Sequence, residues 1–264
     1  MKKLEGKVVL ITGASMGIGE ALARAFAAEG AKLALAARSL DKLEAIARSL
    51  PTDAIPIRAD MSDAAAVRGM VEITAQRFGR LDILINNAAV GVYTSLADTP
   101  PAQIEYLIRT NWLAPMHAIQ AAVPYMRRQS GGQIINISSV AGKISIPWMA
   151  TYCSTKFALN ALSYALRMEL AAENIQVISV CPGRIKTPFS INAFKDSYTR
   201  SLRPGGISAD RVARAVLRAS LRNKREIVVP AGNWAYGILH GLFPGISDYA
   251  MVRVLRRSMR GGRP

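Results

Sequence analysis

Short runs of valine, isoleucine and leucine recur along the chain, at 7–12 (KVVLIT), 33–37, 55–59, 82–86 (DILIN), 133–138, 176–181 and 226–229. Runs without polar alternation suit strands covered on both faces rather than strands with one wet side. Ala-rich stretches of helical length lie between them. Helices are expected at 18–29, at 40–50 behind Ser39 as N-cap, at 63–78, at 102–129 with a break or bend near Pro115 and Pro124, and at 150–172. Repeated strand–helix units build a parallel sheet with right-handed crossovers and helices on both faces. The expectation is an α/β chain with a single doubly wound parallel-sheet domain over residues 1–230, followed by an extension over 231–264.

Half of the 264 residues are apolar, which supplies a core and excludes a disordered chain. Two cysteines, Cys153 and Cys181, cannot make a disulfide framework and lack metal-ligand spacing. With only His117 and His240 beside them, all four read as packing residues and no metal site is expected. The first ten residues carry Lys2, Lys3, Glu5 and Lys7 and no apolar segment, so they do not read as a signal peptide. The longest stretch free of Asp, Glu, Lys and Arg, 227–247, is interrupted by two prolines and four glycines, against a membrane-spanning helix. A cytoplasmic location is the expectation.

The first strand runs directly into TGASMGIG at 12–19 and then a helix. Here Gly13 makes the tight turn, Gly17 lets backbone approach a pyrophosphate and Gly19 allows close helix packing. Ser15, Met16 and Ile18 complete a loop whose amides face an anion at the helix N-terminus. At the end of the second strand a carboxylate would bind a ribose 2′-hydroxyl, whereas an arginine accommodates a 2′-phosphate. The chain has Arg38 there and no acidic competitor, which points to NADP(H).

Tyr152 and Lys156 open the helix at 150–172, and i,i+4 spacing puts them on one face. A free phenol has a pKa near ~10, and a neighbouring ammonium lowers it into a usable acid/base range. Taken together, residues 12–19, Asp60, Asn86-Asn87-Ala88, Asn111, Ser138-Ser139, Tyr152/Lys156 and Pro182-Gly183 with Thr187 resemble the short-chain dehydrogenase/reductase family in order and spacing, over roughly residues 5–230.

That resemblance implies a Rossmann-type fold and hydride transfer between a nicotinamide and a carbonyl or alcohol carbon. Under it, Tyr152 is the general acid or base. Lys156 lowers the pKa of Tyr152 and holds the nicotinamide ribose, and Ser139 binds the substrate oxygen, with Ser138 as its rival. Asn111 anchors a water that relays protons to Lys156. Asp60 accepts from the adenine amino group, Met61 offers a backbone contact, and Asn87 and Ala88 line the adenosine ribose. Pro182 and Gly183 turn beneath the nicotinamide, and Ile185 and Thr187 bind its carboxamide. One departure is Ala89, where the family has glycine. The resemblance also implies a homodimer or homotetramer through the two long helices.

For the substrate, Ile144, Ile146, Trp148 and Met149 precede Tyr152, and a polar, aromatic segment at 188–207 carries Phe189, Phe194 and Tyr198. A cover of this kind suits an apolar carbonyl compound. The alternatives are a 3-oxoacyl-acyl-carrier-protein reductase, for which a basic surface suits an acidic carrier, and a non-catalytic NADP(H)-binding regulator, which the presence of Ser139, Tyr152 and Lys156 argues against.

The formal charge is +16, unevenly placed: residues 1–199 hold 21 basic and 15 acidic side chains, residues 200–264 hold 13 and 3. No nucleic-acid recognition motif accompanies the basic residues, so no nucleic-acid partner is expected. A helix at 248–260 would gather Met251, Val252, Leu255 and Met259 on one arc and Arg253, Arg256, Arg257 and Arg260 on the next. A basic amphipathic tail of this kind resembles a membrane-surface element.

Overall fold

The computed structural model describes residues 2–186 and 206–260, apart from the side chains of Tyr236 and of 254–260. Seven parallel strands form one sheet: β1 (Val8–Thr12), β2 (Lys32–Ala37), β3 (Ala54–Arg58), β4 (Ile83–Asn86), β5 (Gly132–Ile137), β6 (Ile175–Pro182) and β7 (Glu226–Val229), in the order β3-β2-β1-β4-β5-β6-β7. The register pairs Leu10 with Ala34 on one side and with Leu84 on the other, so β1 is a central strand. Alternate residues of β1 enter different cores. Val9 and Ile11 pack with Phe26 and Leu22 of α1 (Gly17–Ala28) and Val212 and Val216 of α7 (Ala209–Leu221). Val8 and Leu10 pack with Met70 of α3 (Ala64–Phe78) and Ala122 and Met126 of α5 (Ala114–Arg128). Two cores, one per face, explain why the strand sequences are apolar without interruption.

The remaining helices are α2 (Leu40–Ser49), α4 (Pro101–Ile108), α6 (Ala150–Glu169), α8 (Trp234–Leu242) and α9 (Pro244–Arg260). Asp63 caps α3 by accepting from the amides of Ala65 (2.8 Å) and Ala66 (3.4 Å), and Gly79 ends it at φ +74°. Ser39 occupies the N-cap position of α2 in extended backbone, but its hydroxyl makes no capping bond. The helix expected at 102–129 is two helices joined by a π-helical turn, Arg109–Leu113. Pro115 lacks the N–H that an α-helix would send to the Asn111 carbonyl, and the widened turn sits just before it. Pro124 lies inside α5 without breaking it.

Thr187, Phe189, Phe194 and Tyr198 lie outside the described residues, as does most of the segment expected to cover the site. Its two flanks meet: Lys186 N–H donates to the Ile207 carbonyl and Ile207 N–H to the Arg184 carbonyl, each at 3.0 Å. Among the described residues no helix is long and apolar enough to cross a membrane.

At the end of the sheet where the strands begin, Asp82 accepts from Lys7 Nζ (3.0 Å), the Val8 amide (2.9 Å), Arg80 Nε (2.7 Å) and Arg80 Nη2 (2.6 Å). Burial alone would raise this carboxyl's pKa, but the bonds from Arg80, Val8 and Lys7 outweigh it and hold the group below its usual value. A depressed folded pKa stabilises the protein above the ordinary carboxylate range, and that contribution is lost as pH falls through the folded value. Asp82→Ala, which strands the Val8 amide, is expected to lower stability by about 2 kcal/mol at neutral pH and less in acid, as read by urea unfolding at pH 7 and below pH 4.

Candidate active site

The strand order reverses between β1 and β4, so the loops leaving their carboxyl ends diverge and open a crevice there. Gly13 stands at φ +64°, and a Cβ on it would come within 2.8 Å of Ala88 Cα on the β4 loop. A Cβ at residue 19 would overlap the Gly13 carbonyl oxygen, so α1 enters as close to the loop as backbone allows. Met16 is the N-cap of α1 and supplies no side-chain cap, and Ser15 and Ile18 flank it half-buried. The first-turn amides of α1 therefore face the crevice without a capping side chain, above a cradle in which two positions exclude a side chain. That arrangement fits a pyrophosphate.

Arg38 follows β2 on the surface and donates from Nη1 to the Tyr106 hydroxyl of α4 at 2.9 Å. Asp60, after β3, accepts from both the amide and the hydroxyl of Ser62 at 2.8 Å. Partial burial works against its ionisation, yet the Ser62 bonds and the nearby Arg38 charge hold its pKa below the usual value. Met61 beside it is buried. Asn87 donates through Nδ2 to the carbonyls of Thr12 (2.8 Å) and Gly13 (3.1 Å), which ties the β4 loop to the glycine turn.

Tyr152 and Lys156 lie on one face of α6, both buried. Lys156 is only 2% exposed, and its Nζ donates to the Ile137 carbonyl at 3.0 Å. That is one acceptor for three donors among the described residues. Burial pushes its pKa down to about 8, and Cys181 opposes this slightly. The sequence led to the expectation that this ammonium lowers the pKa of Tyr152. The structure instead sets Nζ 5.8 Å from the centroid of the phenol ring, and burial drives Tyr152 up to about 12. The Ser139 hydroxyl bonds the Tyr152 hydroxyl and pulls the other way. Ser139 also accepts from the Ala141 amide at 3.0 Å, whereas Ser138 turns inward and donates to the Lys156 carbonyl at 3.1 Å. Ser139, and not its neighbour, faces the phenol.

Asn111 sits in the π-helical turn, fully buried. Its side chain accepts from the Val90 amide (2.8 Å) and donates to the Val90 carbonyl (2.8 Å) and to Thr155 (3.3 Å). The side chain is thus committed to holding the segment after β4. Pro115, four residues on, has no N–H to offer the Asn111 backbone carbonyl.

Ile146, Trp148 and Met149 gather with Tyr152, Ala141 and Leu107 in an apolar cluster separate from the two cores of the sheet. Trp148 holds φ +62°, a costly conformation for an aromatic residue, with its carbonyl accepting from the Thr94 amide at 2.8 Å. Ile144 is buried close by in sequence. Val92 and Tyr93 join this cluster, Tyr93 with its ring centroid 6.2 Å from that of Trp148. The sequence reading did not single out either residue. It also missed Tyr106 and a half-buried group in which Lys143 pairs with Glu226 at 2.8 Å and both bond Tyr164. Pro182 ends β6, and Gly183 donates to the Val229 carbonyl at 2.8 Å, while Ile185 bridges to Ile207. A Cβ at residue 183 would strike the Asn233 side chain, which covers this turn.

The chain matches the family model for short chain dehydrogenases over residues 7–197. YxnA, an uncharacterized oxidoreductase of Bacillus subtilis, is 34% identical over 272 aligned residues that span 100% of this chain and 76% of the relative. A metagenomic short-chain oxidoreductase solved in complex with NADP superposes with a TM-score of 0.74 at 31% identity, over 85% of this chain and 97% of that one. A short chain dehydrogenase/reductase from Burkholderia phymatum, solved in complex with NAD, gives 0.83 at 25% identity, over 91% and 95%. The chain belongs to the short-chain dehydrogenase/reductase family and is an oxidoreductase with the Rossmann-type fold.

A lysine with a depressed folded pKa is charged at a cost below that pKa, and the cost is relieved as pH rises toward the unfolded value of 10.5. The contribution of this lysine to stability is therefore expected to climb between about pH 8 and 10, by about 1 kcal/mol per pH unit, while Cys153 and Cys181, whose thiol pKa values burial raises, pull the other way as they ionise in the unfolded chain. Urea unfolding across that range should show the natural protein gaining stability relative to Lys156→Met by that amount as pH rises, since the other groups titrate alike in both.

Proposed function

We propose that the protein is an NADP(H)-dependent reductase of an apolar carbonyl compound, or the dehydrogenase of the matching alcohol, with Tyr152 as acid/base. The observation that carries this reading is a buried lysine with unused donors beside a buried phenol that bonds a serine hydroxyl. When bound, a nicotinamide dinucleotide supplies or accepts hydride at C4. In reduction the carbonyl carbon receives that hydride, and Tyr152 donates its proton to the carbonyl oxygen; oxidation runs both transfers backward. Ser139 donates to the same oxygen as charge builds on it. Lys156 would hold the nicotinamide ribose through its spare donors and resupply the proton, with the Asn111 carbonyl anchoring the water that links them to solvent. A phenol with pKa near 12 is protonated at neutral pH, the state in which it can donate.

The glycine turn and the α1 N-terminus would take the pyrophosphate, Asp60 and Met61 the adenine, Asn87 and Ala88 the adenosine ribose, and Pro182, Gly183, Ile185 and Thr187 the nicotinamide amide. One similar structure carries NADP and another NAD, so the preference for NADP(H) rests on Arg38. Its guanidinium already bonds a neutral hydroxyl, Tyr106, which a 2′-phosphate would replace or join with a charge-assisted pair. The apolar substrate class rests on the cluster around Ile146, Trp148 and Met149.

Tyr152→Phe is expected to lower kcat/KM at least 100-fold, in the range of about 10²–10⁴ for a lost proton donor. NADPH affinity by fluorescence titration should stay within twofold. A panel of ketones, aldehydes, steroids and acyl-carrier substrates, followed by NADPH oxidation, identifies the substrate class; activity confined to acyl-carrier thioesters would favour a 3-oxoacyl-acyl-carrier-protein reductase instead. Arg38→Asp should reverse the preference for NADPH over NADH, and an unchanged ratio of kcat/KM values would remove the assignment.

A further inference from the structure

Twelve large apolar side chains are exposed among the described residues, and eight of them fall between positions 234 and 252. We infer that the α8–α9 hairpin is a docking surface for an anionic lipid bilayer. This goes beyond the catalytic reading and does not depend on it.

Trp234, Ile238 and Leu242 recur at i, i+4 and i+8 on α8 and so form one stripe, with exposures of 52, 50 and 68%. Phe243 and Ile246, also exposed, extend it into α9. Isolated apolar residues on a surface are ordinary, but a contiguous stripe on a helix without a single charge is not.

The stripe belongs to a folded element, not to a loose end. Gly237 lies close enough to Lys143 that a Cβ would sit 3.6 Å from the lysine Cβ, and Lys143 Nζ stands 5.7 Å from the Trp234 ring centroid. His240 Nδ1 and the Ser247 hydroxyl are 3.1 Å apart, linking α8 to α9. α8 is thereby seated against Lys143, and α9 is tied back to α8, while the apolar stripe stays exposed.

Charge selects the occupant. Residues 231–264 contain five arginines and one carboxylate, Asp248, whose oxygen stands 3.9 Å from His240 within the hairpin. Along α9, Arg253, Arg256, Arg257 and Arg260 fall in an arc of about 100°. An exposed apolar stripe on a segment with this excess of arginine matches an anionic headgroup layer over acyl chains. A second copy of this chain fits less well, because a two-fold contact through the hairpin would bring together two segments that each carry five arginines and one acidic residue.

The test is flotation of the full chain with vesicles of phosphatidylglycerol and phosphatidylcholine in equal parts, and with phosphatidylcholine alone. Recovery with the anionic vesicles and little with the neutral ones is expected. Ile238→Ser combined with Leu242→Ser should bring recovery to background. Arg253→Gln, Arg256→Gln and Arg257→Gln together should weaken partitioning about 100-fold, at about fivefold per arginine. All five positions are solvent-facing or lie on the basic arc, and an unchanged thermal unfolding midpoint confirms that the fold persists. Flotation that both variant sets leave unaltered would overturn the inference. So would an oligomer in sedimentation velocity that the serine pair dissociates while vesicles recover nothing, since the patch would then bind a second copy.

Discussion

The crevice is held at its centre by one hydroxyl. Thr12 Oγ1 accepts from the amides of Asn87 and Ala88, each at 3.0 Å, and donates to the Ile85 carbonyl at 3.4 Å. It does so where β1 and β4 stop sharing ladder bonds and their loops part. With the Asn87 amide bonded back to the Thr12 and Gly13 carbonyls, the glycine turn and the β4 loop become a single backbone surface. Each bond contributes only about 1 kcal/mol to stability, but left unmade in this buried place each would cost more. A second polar line crosses the sheet from the same point: Asn86 bonds Asn136 at 2.8 Å, Asn136 bonds Ser163 at 2.9 Å, and Ser163 lies on α6. The dinucleotide cradle and the helix of Tyr152 and Lys156 are therefore positioned through hydrogen bonds whose lengths leave little slack.

Burial sets the chemistry of that helix. It pushes Tyr152 up to about 12 and Lys156 down to about 8, so the lysine, ordinarily the weaker acid of the two, becomes the stronger. Water is excluded by an apolar wall, and part of that wall is Trp148 in a left-handed conformation whose strain must be met by the packing of Tyr93 and the Thr94 bond. The same burial that makes the lysine uncomfortable leaves its donors available, which is the physical reason this position serves a ligand better than it serves the core.

Much of this was legible before any coordinates. Doubly covered strands leave uninterrupted apolar runs, and all seven appear in the sheet within a residue or so of where those runs lie. Ser139 and Tyr152 do come together, with Lys156 on the same helix face, and the glycine turn meets Asn87 and Ala88. What escaped were contacts between residues far apart in the chain. Tyr106 meets Arg38 across 68 positions, and Lys143 meets Glu226 across 83, so no local pattern announces either. The π-helical turn was half visible: two prolines promised a break, but only packing around the Asn111 clamp decides that the first of them widens the helix and the second does not. The pKa of Tyr152 went against expectation because spacing reveals which residues share a face, not how far an ammonium stands from a hydroxyl or how much water remains between them.

The Asn233 side chain resting on Gly183 has a consequence for the order in which the molecule is completed. During synthesis the glycine turn, the serine and the tyrosine–lysine helix emerge first, in the order in which the sheet is laid down through β6. The turn after β6 then waits for fifty more residues, including the last strand, before its cover exists. The nascent protein thus carries an uncovered turn at the end of β6 after the glycine turn, Ser139, Tyr152 and Lys156 have been made, and that turn is covered by the return of a late segment to an early one.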